Sequence, residues 1–504
     1  MHATNGMFGR IPAVGALPGG TSCAPFANAS AHKTSTPGAI LKAPLTRLLQ
    51  FFKGPSMLAC TRLRVGVLLL GAAGLPAAAW GYRVLRARAR ARIRARGVPA
   101  LPDAVRALVF DLDHTLARYN LPQLCSLVHD CAARFLVTER GHDASLLEPY
   151  DHAWPALKGL VLDFATGDLL LLDETGAVAR ARHGARAAGT LDAGAIAARY
   201  GAPSCRWRAA DALLAGATRG DLCWALTTGY DTGLSQLFAR LVDLADARAA
   251  ADRVPACYDF HEDLYAAVSS AFRQPAFAAG TGGFFSALRA NPHAYIQPRP
   301  RVAAWLRRLR AQGLRVCIVT NSHADFARFT MRTAFGEGSE AACCDLIVAD
   351  ARKPAFFAGD SPLRAVAWLP AHPDTAIRES AAAEPLGAPP GLPCEHMLAG
   401  GSASAVEALF GLRGEAIAFF GDSCFGEVVP ARRRGWWTTA VVEEADGGVF
   451  VEPLEWGGSF WSAPPPGAEP CPGTSPAARA QSWLGSAFKA SAHALIADID
   501  ALAR

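Results

Sequence analysis

The stretch "VRALVFDLDHTLARYNLP", Val105–Pro122, decides how the chain is read. Val105 to Phe110 is a short apolar run with β-branched and aromatic members, so it predicts a buried strand. Asp111 and Asp113 stand at its end and, in extended backbone, point to one side. Two carboxylates that close repel each other unless a cation lies between them. Magnesium suits that gap, since it takes hard oxygen ligands and keeps water positions open. The competing reading of the same residues is a helix N-cap or a turn, where Asp and Thr are common. The rest of the chain must decide between them.

Three further runs end in polar residues in the same way. They are "LRVCIVTNS" (Leu314–Ser322), "CDLIVADARKPAFF" (Cys344–Phe357) and "EAIAFFGDS" (Glu415–Ser423). Helical patterns precede two of them, "PRVAAWLRRLRAQG" before the first and "SAVEALFGLRG" before the last. Strands separated by helices predict an α/β fold with a parallel sheet, and such sheets bind ligands beyond the carboxyl ends of their strands. Asp111, Asp113, Thr320, Lys353 and Asp422 all fall at those ends. Taken singly, each has a plain alternative: a strand-end cap for Thr320, a solvated loop lysine for Lys353, a simple turn for Gly421-Asp422. Five coincidences at matching positions point to one site.

Roughly two hundred residues separate Thr115 from Thr320, too many for a loop. "GLVLDFATGDLLLLDETGAVARARHG" (Gly159–Gly184) predicts a three-strand meander turning at Thr166-Gly167 and Thr175-Gly176. Helical patterns follow in "CWALTTGYDTGLSQLFARLVDLADA" (Cys223–Ala247) and "FHEDLYAAVSSAF" (Phe260–Phe272). An insert at this place could cover the site and exclude water.

Composition bounds the partners. The net charge of +6 belongs to the N-terminus: residues 1–102 hold 14 of the 50 Lys and Arg and no acid, which leaves 36 basic and 44 acidic residues, net −8, for the rest. A mildly acidic body offers no nucleic-acid surface. Thirteen cysteines without a Cys-x-x-Cys pair suggest reduced, mostly buried thiols and no zinc site. Residues 1–64 are rich in Gly, Pro, Ala, Ser and Thr and predict disorder. Val65–Tyr82 then runs 18 residues without a charge, followed by seven arginines from Arg83 to Arg96. This segment, 65–97, reads either as a membrane anchor, with the arginines holding the next domain on the cytoplasmic or matrix side, or as an Arg-rich organelle (mitochondrial) transit sequence. A structureless extension of a cytoplasmic protein is the third reading.

The sequence resembles the haloacid dehalogenase superfamily of phosphohydrolases, and within it the cytosolic purine 5′-nucleotidase-like group, which includes the 5′-nucleotidase domain-containing proteins. Asp-x-Asp-x-Thr at 111–115 carries the superfamily likeness, and "FDLDHTLARYNLP" with its Tyr119 is more specific. "DARKPAFF", "GGSASAVEALFGLRG", "TNS" at 320–322 and the "HG" that ends the meander agree with it. The likeness covers roughly residues 103–445. It implies a Rossmann-like parallel sheet core of the haloacid dehalogenase type, formed by residues 98–123 and 291–445. An inserted α+β cap spans 124–290, and a C-terminal extension with a final helix spans 446–504.

The resemblance also implies roles. Asp111 matches a nucleophile that forms an aspartyl-phosphate, and Asp113 the general acid and base. Thr320 and Lys353 match phosphate-binding residues. Asp111, Asp113 and Asp422 match the magnesium site. The second acid of the last motif is usually Asp and here is Glu427, longer by one methylene. The expected activity is magnesium-dependent hydrolysis of a small phosphate ester, a nucleoside 5′-monophosphate above others. A catalytically weak scaffold or regulatory protein retaining the fold is the first alternative, motivated by Glu427 and the added N-terminal segment. A protein phosphatase of the carboxy-terminal-domain type is the second. His261, Asp263, Tyr265, Arg118 and Tyr119 could address a base, but each reads equally as an exposed helix face or a packing aromatic, and none is taken as a site residue. The apolar spacing of Ala478–Arg504 predicts one long helix, packed on the body or on a second subunit of a homo-oligomer.

Overall fold

A computed structural model describes residues 101–273, 277, 279, 283–369, 397–446, 459–464 and 481–503, and the backbone of 372–377. Segment 65–97 lies outside the described residues. Among the described residues no helix is long and apolar enough to cross a membrane.

In chain order the strands are β1 (Ala107–Phe110), β2 (Leu160–Asp163), β3 (Asp168–Leu172), β4 (Val178–His183), β5 (Cys223–Ala225), β6 (Arg315–Val319), β7 (Leu346–Ala349), β8 (Leu363–Ala365), β9 (Ala367–Leu369), β10 (His372–Ile377), β11 (Met397–Gly400), β12 (Ile417–Gly421), β13 (Trp437–Val441) and β14 (Ala494–Ile496). Eight of them form the main sheet, in the order β14-β13-β12-β1-β6-β7-β11-β8. Every pairing in it is parallel except β11 with β8 at one edge. The α/β class is therefore as the sequence predicts.

β1 sits between β6 and β12, and all four of its residues are buried. A strand covered on both faces must be apolar throughout, as "ALVF" is. Alternate residues feed different cores. Ala107 and Val109 join Val319, Phe357, Phe419 and Trp436 on one face. Leu108 and Phe110 join Ile318, Phe420 and the apolar residues of the insert on the other. The insert is thus seated on one face of the sheet through a continuous core.

Within the insert, β2, β3 and β4 form the expected antiparallel meander. Its turns hold Gly167 and Gly176 at positive φ (73° and 86°), a conformation that glycine adopts without steric cost. A fourth strand, β5, pairs with β2. Cys223–Ala225 is therefore strand where the sequence suggested helix, and the helix begins only at Leu234. Three apolar residues cannot distinguish the two periods, so pairing with β2 decided the outcome.

The C-terminus also departs from expectation. The single helix over 478–504 is divided: Trp483–Ser491 is helical, Ala494–Ile496 is β14 beside β13, and Asp500–Ala503 forms one more turn. Ala492 is extended (φ −94°, ψ 144°), which ends the helix and lets the chain join the sheet. These last residues reach both parts of the molecule. The indole N–H of Trp483 donates to the carbonyl of Gly159 in the insert at 2.7 Å. Its ring stacks on Phe425 of the core, centroids 5.8 Å apart at 14°. The amide of Glu174 donates to the carbonyl of Gln481 at 2.8 Å.

Candidate active site

The sheet brings the strand-end residues together. The Asp111 amide donates to the Phe420 carbonyl at 2.8 Å, so parallel pairing of β1 with β12 fixes Asp111 beside Asp422. Asp111, Asp113, Thr320, Lys353, Asp422 and Glu427 are all buried.

Lys353 holds the centre. Its ammonium donates to Asp111 Oδ1 at 2.6 Å, to the Val319 carbonyl at 2.8 Å and to Glu427 Oε1. Asn321 secures its backbone: the Lys353 amide donates to Asn321 Oδ1 at 2.6 Å, and Asn321 Nδ2 donates back to the Lys353 carbonyl at 3.1 Å. Burial opposes the lysine charge, but Asp111 and Glu427 more than offset it and hold its pKa above the ordinary value.

Glu427 lies on a π-helical turn, Cys424–Val428, that follows β12. The turn folds its carboxylate back over the strand end, where Oε2 accepts from the Ser423 amide at 3.2 Å. The longer acid therefore reaches the site. Carboxylate oxygens of Asp111, Asp422 and Glu427 lie within 4.8 Å of one another. Burial first, and the charge of Asp111 second, push Asp422 up to about 8 and Glu427 well above the carboxylate range.

Asp113 belongs to a separate set of contacts. Tyr119 donates to its Oδ1 at 2.6 Å, Ser322 to its Oδ2 at 2.5 Å, and Thr320 to Oδ2 at 3.4 Å. The Ser322 amide donates to Thr320 Oγ1 at 3.0 Å. Burial and the charge of Asp111 raise Asp113 to about 6. Its carboxylate is thus held by hydroxyls, while the three-carboxylate cluster contains Asp111, Asp422 and Glu427. Tyr119 is the one specificity candidate the structure brings into the site, as a donor to Asp113. Arg118 pairs with Asp498, His261 with Asp259, and Asp263 with His142, while Tyr265 lies under Arg219.

Sequence reasoning missed Ser322, Asn321, His114, Tyr230 and Lys158. The first two lie inside the quoted "TNS", so their signal was adjacency to Thr320. Lys158 and Tyr230 belong to the insert. Buried Lys158 pairs with Glu444 at 3.1 Å, near enough for its charge to lower Asp422 and the His114 imidazole. Gly229 packs against His114 so tightly that a Cβ there would stand 2.7 Å from its Cε1. Insert residues therefore touch the loop after β1 directly.

With this geometry in hand, comparison with known proteins assigns the chain. A model of the 5′ nucleotidase family matches residues 102–449. The chain belongs to the 5′ nucleotidase family. It is 30% identical over 342 residues to human 5′-nucleotidase domain-containing protein 1, covering 66% of this chain and 70% of that one. The bovine protein of the same name is 29% identical over 352 residues, 69% and 74% of the two chains. Among solved structures, a predicted phosphoglycolate phosphatase from Haemophilus somnus aligns over 67% of this chain and 85% of its own, at 12% identity and a TM-score of 0.27. The family expected from "FDLDHTLARYNLP" is the one matched, and phosphomonoester hydrolysis is the class of activity it supports.

Proposed function

We propose that the protein is a magnesium-dependent phosphomonoesterase working through an aspartyl-phosphate on Asp111, with a nucleoside 5′-monophosphate as substrate. The observation that carries this reading is the buried cluster of Asp111, Asp422 and Glu427 beside Lys353. Four carboxylates, counting Asp113, crowd around one fully engaged lysine, and Asp422 has no hydrogen bond from a described residue. A buried carboxylate without a partner is costly, and oxygen-only donors at this spacing suit a hard divalent cation. Asp111, Asp422 and Glu427 would hold magnesium, which when bound screens the nucleophile from the phosphoryl charge and stabilises the transferring group.

The chain's own residues supply the remainder. Lys353 orients Asp111 through Oδ1 and leaves Oδ2 to attack phosphorus. The ester P–O bond breaks as the Asp111–phosphorus bond forms, and the electron pair goes to the leaving oxygen. Asp113, poised near 6 and held by Tyr119 and Ser322, gives that oxygen its proton. The carboxylate so formed takes a proton from the water that releases phosphate from Asp111. The insert, packed on the nucleophile loop through Gly229, acts as a cap and favours a small ester over a phosphorylated protein loop. Glu427 in the cluster favours turnover over the scaffold reading.

Phosphate release from a panel of nucleoside monophosphates, by the full chain with and without magnesium, tests the proposal. Asp111→Asn is expected to abolish a magnesium-dependent activity, and an equally active variant would overturn the assignment of the nucleophile.

A further inference from the structure

Among the described residues, the buried Tyr230 hydroxyl and His114 Nε2 have no hydrogen bond of ordinary geometry. Both belong to an aromatic group that spans the core and the insert. The His114 ring lies 4.6 Å from that of Tyr230, edge-on, and 4.8 Å from that of Tyr119. Tyr119 and Tyr230 are 5.7 Å apart, also edge-on. Tyr119 spends its hydroxyl on Asp113. Tyr230, contributed by the insert between β5 and the helix at Leu234, approaches the hydroxyl of Tyr119 but makes no hydrogen bond of ordinary geometry.

An unpaired buried hydroxyl is costly, and phenylalanine would fill the same ring space without that cost. The hydroxyl is therefore explained by something absent from the resting protein. Its surroundings say what. Burial, and then the charge of Asp113, push the phenol far above its ordinary pKa, so it remains a donor. Burial and the nearby Lys158 hold His114 at about 3, so the imidazole is neutral. The groups that meet the phosphoryl oxygens, Thr320 and Lys353, come from strand ends of the core. A donor that descends from the insert beside Asp113 meets the other end of the scissile bond.

We propose that Tyr230 is a catalytic residue that donates a hydrogen bond to the leaving oxygen of the substrate. The proposal rests on the hydrolase reading above. As the bond from phosphorus to the ester oxygen breaks, the electron pair moves onto that oxygen, which receives the proton of Asp113 while Tyr230 keeps its own. The Tyr230 bond strengthens as charge develops, so it favours the transition state over the bound ester. A single donor thus serves alcohols generally, and the gain is greatest where the leaving alcohol is a poor one, such as the 5′-hydroxyl of a nucleoside.

Tyr230→Phe in the full chain tests this, with a nucleoside 5′-monophosphate and p-nitrophenyl phosphate assayed side by side in magnesium. The nitrophenolate leaves readily without help. The expected result is a kcat lowered about 100- to 1000-fold on the nucleotide, the order found for one donor in a water-poor site, with less than about threefold loss on the aryl ester. Equal losses on the two esters, or none on either, overturn the role. Tyr230→Leu, which removes the ring as well, separates packing from chemistry: a packing role predicts Phe at wild-type rates on both esters and only Leu impaired. If the wild-type chain hydrolyses neither ester and Asp111→Asn behaves identically, the hydrolase reading fails first, and the role of Tyr230 falls with it.

Discussion

Replacing Lys353 by methionine isolates what the site owes to one cation. The side chain is 2% exposed, and methionine keeps most of its apolar stem. The change removes donors to Asp111 Oδ1, Glu427 Oε1 and the Val319 carbonyl, and leaves Asp111 and Glu427 facing each other in a buried place. Removing one member of a buried ionic set costs about 3–5 kcal/mol, because the remaining charge is left uncompensated. At an m-value of about 3 kcal/mol per M, this lowers the urea midpoint by about 1–1.7 M. The assay is urea denaturation of the full chain, followed by circular dichroism, in EDTA and again in saturating magnesium. A divalent ion among Asp111, Asp422 and Glu427 supplies the positive charge the lysine gave up, so magnesium should stabilise the variant more than the wild type. A variant as stable as wild type in EDTA would refute the claim that Lys353 compensates the charge of this carboxylate set. Equal stabilisation by magnesium of both proteins would refute the placement of the metal beside Lys353.

Two further outcomes follow from other parts of the fold. His183 is held above its ordinary pKa by its hydrogen bond to Asp168 at 2.6 Å, with Asp246 on its other nitrogen. The folded protein therefore binds this proton more tightly than the unfolded chain, so the contribution is complete below about 6.5 and is lost as pH rises through the folded value. Unfolding free energies measured from pH 6 to pH 9 should fall less steeply in His183→Gln than in the wild type. Trp483→Ala removes a buried indole that contacts both Gly159 and Phe425, at a cost of about 3–5 kcal/mol. Because Phe425 lies on the turn that presents Glu427, magnesium affinity by calorimetry should fall as well; an unchanged affinity in the folded variant would show that the turn holds its shape alone.

The parts of this molecule that could be read from sequence are those whose signal is local. Each main site residue follows an apolar run long enough to declare itself a strand, and parallel pairing then gathers their carboxyl ends. β5 and β14 are three residues each, and their state was settled by the strands they pair with, β2 and β13. The reach of Glu427 depends on the π-helical turn, which adds a residue to the path and which no periodicity announces. Tyr230 stands 115 residues beyond Thr115 in a loop, and only packing of the insert on His114 and Tyr119 brings it to Asp113. Tyr119 was visible as a residue but not as a donor, since its partner is fixed by the path of the chain after Thr115.

The seating of Trp483 between insert and core bears on how the protein is made. Domains fold as units while the chain emerges, and here β1 and the whole insert leave the ribosome long before the residues that join them. β14 and the Trp483 contacts come from residues 483–496, and Trp483 lies 324 positions after its partner Gly159. A nascent chain can build both halves, yet it has no edge strand beside β13 and no indole bridging Gly159 to the turn of Glu427 until those residues have emerged. Alignment of the site then waits on them, and a chain cut before Trp483 carries every motif residue without the brace that aligns them.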